Sequence, residues 1–140
     1  MSVRPADVLV AGLAGAALSA VPSTAYALAT RGDLLEGGRA AGAMLLPRER
    51  RTPVLLAAAV PVHLALSLGW AAVLAPLLPR GAEVPAGIAG ALGIAALDLR
   101  LIAPRRFPAV AALPQGRQWA DHVAYGAAVG AALAWRRAPR

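Results

Sequence analysis

Polar stretches divide the chain into four apolar runs, at residues 8–30, 53–79, 84–103 and 119–135. The first is 23 residues long and contains no charged side chain. A helix of that length, rising about 1.5 Å per residue, exceeds the roughly 30 Å hydrocarbon core of a bilayer. Lipid admits only helices or closed barrels, and no run alternates with the period of a strand. The pattern predicts an all-α fold, a four-transmembrane-helix bundle forming one integral membrane domain over residues 1–140.

The polar segment between the first two runs predicts a short interfacial helix at residues 33–46. Asp33 followed by Glu36 is typical of a helix start, and Pro47 closes the segment. Glycines in this segment cost up to about 1 kcal/mol each relative to alanine, so we expect it to be partly irregular.

The composition also indicates a membrane protein. Apolar residues make up 59% of the chain, charged residues 15%, and the mean hydropathy is +0.60, above the balance of a soluble domain. The absence of cysteine excludes disulfides and thiolate metal sites. With only two histidines and no H-x-x-x-H spacing, we expect no metal site and no cofactor.

The net charge of +7 comes entirely from 14 arginines, because lysine is absent. This bias is the mark of a high-GC genome. The arginines cluster at the ends of apolar runs and are not interleaved with aromatic platforms, which argues against nucleic acid as a partner. That placement predicts the lipid bilayer and anionic lipid headgroups as partners.

The basic residues also give a weak preference for orientation. Eight arginines lie in the first and third loops and five on the other side, which favours cytoplasmic odd loops and both termini outside.

The amino terminus resembles a secretion signal, with an A-x-A match at Ala25–Ala27, but Asp7 stands where a basic region is expected. We expect an uncleaved first helix.

Two stretches suggest an internal duplication. Residues 11–20 (AGLAGAALSA) and 86–95 (AGIAGALGIA) agree at six of ten positions, and aligning His63 with His122 superposes HLA on HVA. These matches predict two tandem two-helix repeats. Chance similarity in an alanine-rich chain is the alternative.

Small residues recur at every fourth position in two of the runs. Gly15 and Ser19 belong to such a face in the first run, and Gly126 and Gly130 to one in the fourth. Small-xxx-small faces let helix backbones approach closely, so these four residues are predicted helix-packing positions. Packing within the bundle is the first interpretation, and a homo-oligomeric seam is the second.

Ionisable and hydroxyl side chains are placed in one half of the predicted membrane, while the opposite half looks almost purely apolar. An unpaired charge in hydrocarbon is costly, so these groups should face the bundle interior and one another. We therefore predict an intramembrane polar cluster, open to one side, composed of His63, Asp98, Asp121, His122, Tyr26 and Ser67.

This cluster has more than one interpretation. Its members can pair with one another or with backbone, fixing helix register only. They can also relay protons, hold a cation or bind the polar head of a small ligand. No nucleophile elbow, P-loop or H-E-x-x-H motif is present, so we expect no catalytic residues and no enzyme. We expect a non-enzymatic structural protein or partner subunit; the alternative is a small carrier or proton- or cation-coupled ligand-binding protein.

Three stretches carry a resemblance to known proteins: LPQGRQWADHVAYG at residues 113–126, HLALSLGW at 63–70, and the small-residue first run. Together they resemble small uncharacterised four-helix integral membrane proteins of high-GC bacteria. The resemblance covers most of the chain and implies a multi-pass protein of the bacterial cytoplasmic membrane. It implies no activity, cofactor or catalytic residue.

Overall fold

The computed structural model describes residues 3–139, and every regular element in that range is helical. Eight α-helices follow in chain order, at Pro5–Leu18 (α1), Val21–Thr30 (α2), Glu36–Ala43 (α3), Thr52–Leu77 (α4), Glu83–Ala95 (α5), Ala103–Arg106 (α6), Pro108–Ala111 (α7) and Gln115–Arg137 (α8). A π-helical segment, Ala96–Ile102, joins α5 to α6. The prediction of an all-α fold is confirmed.

Three helical rods are long and apolar enough to cross a membrane: Pro5–Thr30, Thr52–Leu77 and Glu83–Arg106. They correspond to the first three predicted runs. Helix α8 has 23 residues but carries more charged and polar side chains, and it is not among the three. Three helical segments are therefore candidate spans by length and composition, and the fourth span remains a prediction.

The first rod is divided, whereas the sequence predicts one span at 8–30. Helix α1 ends at Leu18 and α2 begins at Val21. Pro22 is the second residue of α2, and it has no N–H to donate to the Leu18 carbonyl. The backbone between the two helices therefore leaves the α-helical pattern, with the N–H groups of the first turn of α2 and the last carbonyls of α1 available to other partners.

The connecting segments differ from prediction in detail. Helix α3 covers eight residues, Glu36–Ala43, inside the predicted 33–46. Asp33 Oδ1 accepts the Leu35 N–H at 2.9 Å, forming a turn before the helix. Helix α7 was not predicted. It is a single turn beginning at Pro108, a residue favoured at the first position of a helix.

Small residues dominate the interior, and α8 lies at the centre of the bundle. It packs on α1, α2 and α5, while α1 also packs on α4. Alanine, glycine and serine together make up more than half of the buried residues, and among the larger buried side chains Val129 and Leu133 are completely enclosed. Large apolar side chains instead face outward, including Leu9, Leu13, Val60, Leu66, Val73, Leu77 and Leu101. An apolar exterior around a small-residue core is the arrangement that a lipid solvent favours.

The four long segments alternate in direction, so the bundle has two distinct ends. One end, which we call the two-loop end, carries residues 31–51 and 107–114. The other, the terminal end, carries residues 78–82 together with the start of α1 and the end of α8. Ion pairs link α8 to neighbouring elements at each end: Arg117 with Glu36 at the first, and Arg136 with Asp7 at the second.

Candidate functional site

The structure brings two of the predicted cluster residues together, Asp98 and His122. Asp98 lies in the π-helical segment and His122 on α8, with His122 Nε2 at 3.9 Å from Asp98 Oδ2. The other ring nitrogen, Nδ1, is 2.7 Å from the Gln118 carbonyl oxygen. Both side chains are partly buried: His122 is 20% exposed and Asp98 is 28% exposed. This pair is the one place in the described chain where a histidine faces a carboxylate.

The π-helical segment that carries Asp98 has a local cause. Pro104 has no N–H, so it cannot donate to the Arg100 carbonyl as an α-helix requires. The Ala103 N–H donates to the Asp98 carbonyl, five residues back, which is the π-helical pattern. Helical segments of this type are frequent at functional sites.

Asp121 is adjacent to His122 in sequence but contacts a different helix. Its Oδ1 accepts the backbone N–H of Ser23 at 2.9 Å. Ser23 belongs to the first turn of α2, whose N–H groups have no helical partner. Asp121 therefore caps α2 from α8, in the role that a residue preceding the helix usually performs.

His63 also binds backbone at the break in the first rod. Its Nε2 lies 2.8 Å from the carbonyl oxygen of Ala16, which is in the last turn of α1. Carbonyl groups in that turn lack helical partners. No hydrogen bond or ion pair within residues 3–139 joins His63 to Asp98 or Asp121.

Tyr26 and Ser67 are separate from the Asp98–His122 pair. Tyr26 is 54% exposed, and the Arg117 guanidinium lies 5.1 Å from the centre of its ring. Ser67 is buried, and its backbone carbonyl accepts the Tyr125 hydroxyl at 2.6 Å. The six predicted residues are thus distributed over several helix contacts, each joining different elements.

The small residues predicted to pack helices lie at helix crossings within the chain. A side-chain carbon built on Gly15 would meet the Tyr125 ring of α8. Carbons built on Gly126 and Gly130 would meet the backbone of Gly87 and of Glu83, respectively. Ser19 is buried, and its hydroxyl has no hydrogen-bond partner among the described residues.

Two clefts open at the two-loop end. The first, of about 450 Å³, lies beside Arg117, whose Nη2 donates to Glu36 Oε2 at 2.9 Å. Its lining is Pro22, Tyr26, Pro114, Gly116, Arg117 and Ala120. The second, of about 580 Å³, lies between α3, α7 and the start of α4. Within residues 3–139, no three histidine or carboxylate side chains gather as a metal site.

Two carboxylates lie at the terminal end, each one residue before a predicted apolar run. Asp7 and Glu83 are buried at the terminal end. Asp7 Oδ1 accepts from Arg136 Nε at 2.9 Å, and Glu83 Oε1 from Arg137 Nη1 at 3.4 Å. The sequence contained a feature that could have predicted these ion pairs. Arg136 and Arg137 directly follow the fourth run, and the predicted topology places the end of that run beside the starts of the first and third runs.

Arg137 also binds the end of α4. Its guanidinium donates to the carbonyl oxygens of Ala75 at 2.5 Å and Leu78 at 2.9 Å. These carbonyls have no helical partner, because α4 ends at Leu77 and Leu78 is extended before Pro79. One arginine therefore joins α8, α4 and α5.

No protein-family model, curated protein or solved structure matches this chain.

Proposed function

We propose that this protein is a non-enzymatic integral membrane protein with four spans, acting as a structural protein or partner subunit. One observation carries the proposal: the polar side chains of α8 bind groups on the other helices. These contacts pair Arg117 with Glu36, Asp121 with Ser23, Tyr125 with Ser67, Arg136 with Asp7, and Arg137 with Glu83. Polar groups used in this way hold a bundle together in lipid.

The placement of charge along α8 supports its role as the fourth span. Its 23 residues rise about 34 Å at 1.5 Å per residue, enough for a hydrocarbon core of roughly 30 Å. No charged residue lies between His122 and Arg136. The charges near its ends are paired with other elements, which lowers their cost in the membrane.

The arginines support a position in a bacterial cytoplasmic membrane with the two-loop end against anionic headgroups. Exposed arginines are concentrated at this end, at Arg31, Arg48, Arg50, Arg51, Arg105 and Arg106. Such clusters attract acidic lipids and favour the cytoplasmic side. The arginine-only basic composition fits a high-GC bacterial source.

A small carrier or a proton- or cation-coupled binding protein is the second candidate. It is favoured by one observation, the Asp98–His122 pair on a π-helical segment. Asp121 and His63 bind backbone groups, and Tyr26 lies beside an arginine. Ser67 accepts the Tyr125 hydroxyl through its own backbone carbonyl. The structural role therefore has broader support.

Cysteine labelling tests the four spans, because the chain has no cysteine of its own. Single variants Pro79→Cys, Ala109→Cys and Ala138→Cys place a thiol at exposed positions. An impermeant maleimide applied to oriented membrane vesicles should label 79 and 138 from one side and 109 from the other. Labelling of 109 and 138 from the same side would contradict the fourth span.

Reconstitution separates the two candidate functions. The purified protein is placed in vesicles loaded with a pH-sensitive dye, and a proton gradient is applied. A structural protein should leave the decay of the gradient at the rate of empty vesicles. Faster decay that is lost in His122→Gln and retained in His63→Gln would favour the carrier.

A further inference from the structure

The His122 ring is held in one orientation by its own helix. Nδ1 lies 2.7 Å from the Gln118 carbonyl oxygen, and a carbonyl oxygen can only accept a hydrogen bond. Nδ1 must therefore carry a hydrogen in every protonation state that keeps this contact. The neutral ring then has a bare lone pair at Nε2.

That lone pair faces a carboxylate. Nε2 is 3.9 Å from Asp98 Oδ2, within ion-pair range but longer than a direct hydrogen bond. With a proton on Nε2, the cationic ring and the ionised carboxylate attract each other. Without it, two electron-rich atoms face each other in a partly buried site. The contact therefore favours a bound proton at Nε2.

We propose that Asp98 and His122 form a binding site for one exchangeable proton at the contact of α8 with the π-helical segment. The proton comes from water and returns to it, and the pair changes from a net charge of −1 to neutral on binding. The inference goes beyond the proposed structural function. The site depends on the approach of the His122 and Asp98 side chains and not on the number of spans.

The surroundings leave Asp98 as the direct partner of this proton. On α8 itself, Asp121 lies next to His122 but accepts the Ser23 N–H, and Arg117 adds a positive charge near Asp121. The π-helical segment contributes Asp98, while Arg100 on the same segment is exposed. On α2, the group that faces this part of α8 is the Ser23 N–H, which already donates its hydrogen bond to Asp121.

The second histidine provides an internal control. His63 Nε2 lies 2.8 Å from the Ala16 carbonyl oxygen, so by the same reasoning its hydrogen must be on Nε2. The two histidines of the chain should therefore be opposite tautomers when neutral, with Nδ1–H at His122 and Nε2–H at His63. Among residues 3–139, only His122 has a carboxylate beside its free nitrogen.

Nitrogen-15 NMR of ring-labelled histidine in lipid nanodiscs tests the proposal. We expect the Nδ1–H tautomer for His122 and the Nε2–H tautomer for His63, assigned with His63→Gln. In Asp98→Asn, loss of the carboxylate should move the midpoint of His122 protonation to lower pH by about one unit or more. Asp33→Asn, the matched change in an exposed loop, should leave that midpoint in place.

Two results would overturn the site. One is an Nε2–H tautomer at His122 in the unmodified protein, a measurement that needs no variant and so does not depend on a variant folding. The other is an unchanged His122 midpoint in both Asp98→Asn and Asp98→Ala. Neither result bears on the spans, which the cysteine labelling decides separately.

Discussion

Gly87 and Gly126 lie face to face where α5 crosses α8. A side-chain carbon built on either residue would come within 3.0 Å of the other's backbone carbonyl oxygen. One turn further along α8, Gly130 lies equally close to the backbone of Glu83. The two helices are therefore in backbone contact over more than one turn. In lipid, where apolar side chains gain little by leaving the solvent, such close packing is a main source of helix association.

This contact gives the first prediction. Gly87→Ala should destabilise the protein by about 1–3 kcal/mol, because the added methyl group forces two packed backbones apart. Gly93→Ala is the matched control, since Gly93 lies on the same helix and a carbon built there meets nothing within 4 Å. Thermal unfolding in one detergent compares the variants. Equal stability of Gly87→Ala and Gly93→Ala would contradict the backbone contact.

The positions of the long helices could be predicted because each depends on the length of its own apolar run. An apolar run long enough for a bilayer forms a helix regardless of its neighbours. The second predicted run, 53–79, accordingly agrees with α4 at Thr52–Leu77. Its end differs by two residues because Pro79 places Leu78 in an extended conformation. The break at Ala20 and the single turn of α7 depend on proline geometry within short stretches, which hydropathy does not detect.

The closeness of Asp98 and His122 could be predicted from the sequence, whereas the partners of the other site residues could not. Counting 1.5 Å per residue places Asp98 and His122 at similar depth, and the structure has them paired. Partners depend on helix rotation, and adjacent residues such as Asp121 and His122 point about 100° apart, to different neighbours. Backbone partners were also expected, but hydropathy does not tell which backbone groups lack a helical partner. The break in the first rod exposes the Ser23 N–H and the Ala16 carbonyl, which bind Asp121 and His63.

Arg137 gives a second prediction, at the terminal end. Arg137→Gln should lower stability by about 1–3 kcal/mol, because it leaves two helix-end carbonyls without their donor and the buried Glu83 carboxylate without its arginine partner. Adding Glu83→Gln should recover part of the loss, so that the double variant is more stable than the sum of the two single effects predicts. Arg106→Gln, at an exposed arginine, should change stability little. Strict additivity of the two single variants would contradict the proposed coupling.

The cap on α2 gives a third prediction. Asp121→Ala should cost about 0.5–2 kcal/mol, the usual cost of losing a helix cap, because the Ser23 N–H loses its acceptor. Asp121→Asn retains a carbonyl oxygen in the same place and should keep most of the cap. Hydrogen exchange at the Ser23 amide reports the contact directly. Faster exchange is expected in Asp121→Ala, and an unchanged rate there would show that the carboxylate does not cap this helix.

The loop before α4 gives a fourth prediction, on how its stability depends on pH. Glu49 Oε1 accepts the backbone N–H groups of Arg50 and Arg51 at 2.8 Å, and its Oε2 accepts from Arg51 Nη2 at 2.9 Å. The Arg51 side chain, followed by these backbone donors, lowers the pKa of Glu49 from 4.5 to about 2. The folded loop thus favours the ionised carboxylate more than the unfolded chain does. Its contribution to stability is complete above pH 4.5 and is lost as the pH falls towards 2.

Protection of the Arg50 and Arg51 amides against hydrogen exchange follows this contribution. Protection, corrected for the intrinsic rate, should be constant between pH 5.5 and 7 and should decrease as the pH falls from 4.5 to 2. Glu49→Gln should have lower protection at neutral pH and no such decrease in acid, because its side chain does not titrate. If the unmodified protein and Glu49→Gln lose protection in parallel below pH 4.5, the acid sensitivity comes from another group and the Glu49 contacts do not stabilise the loop.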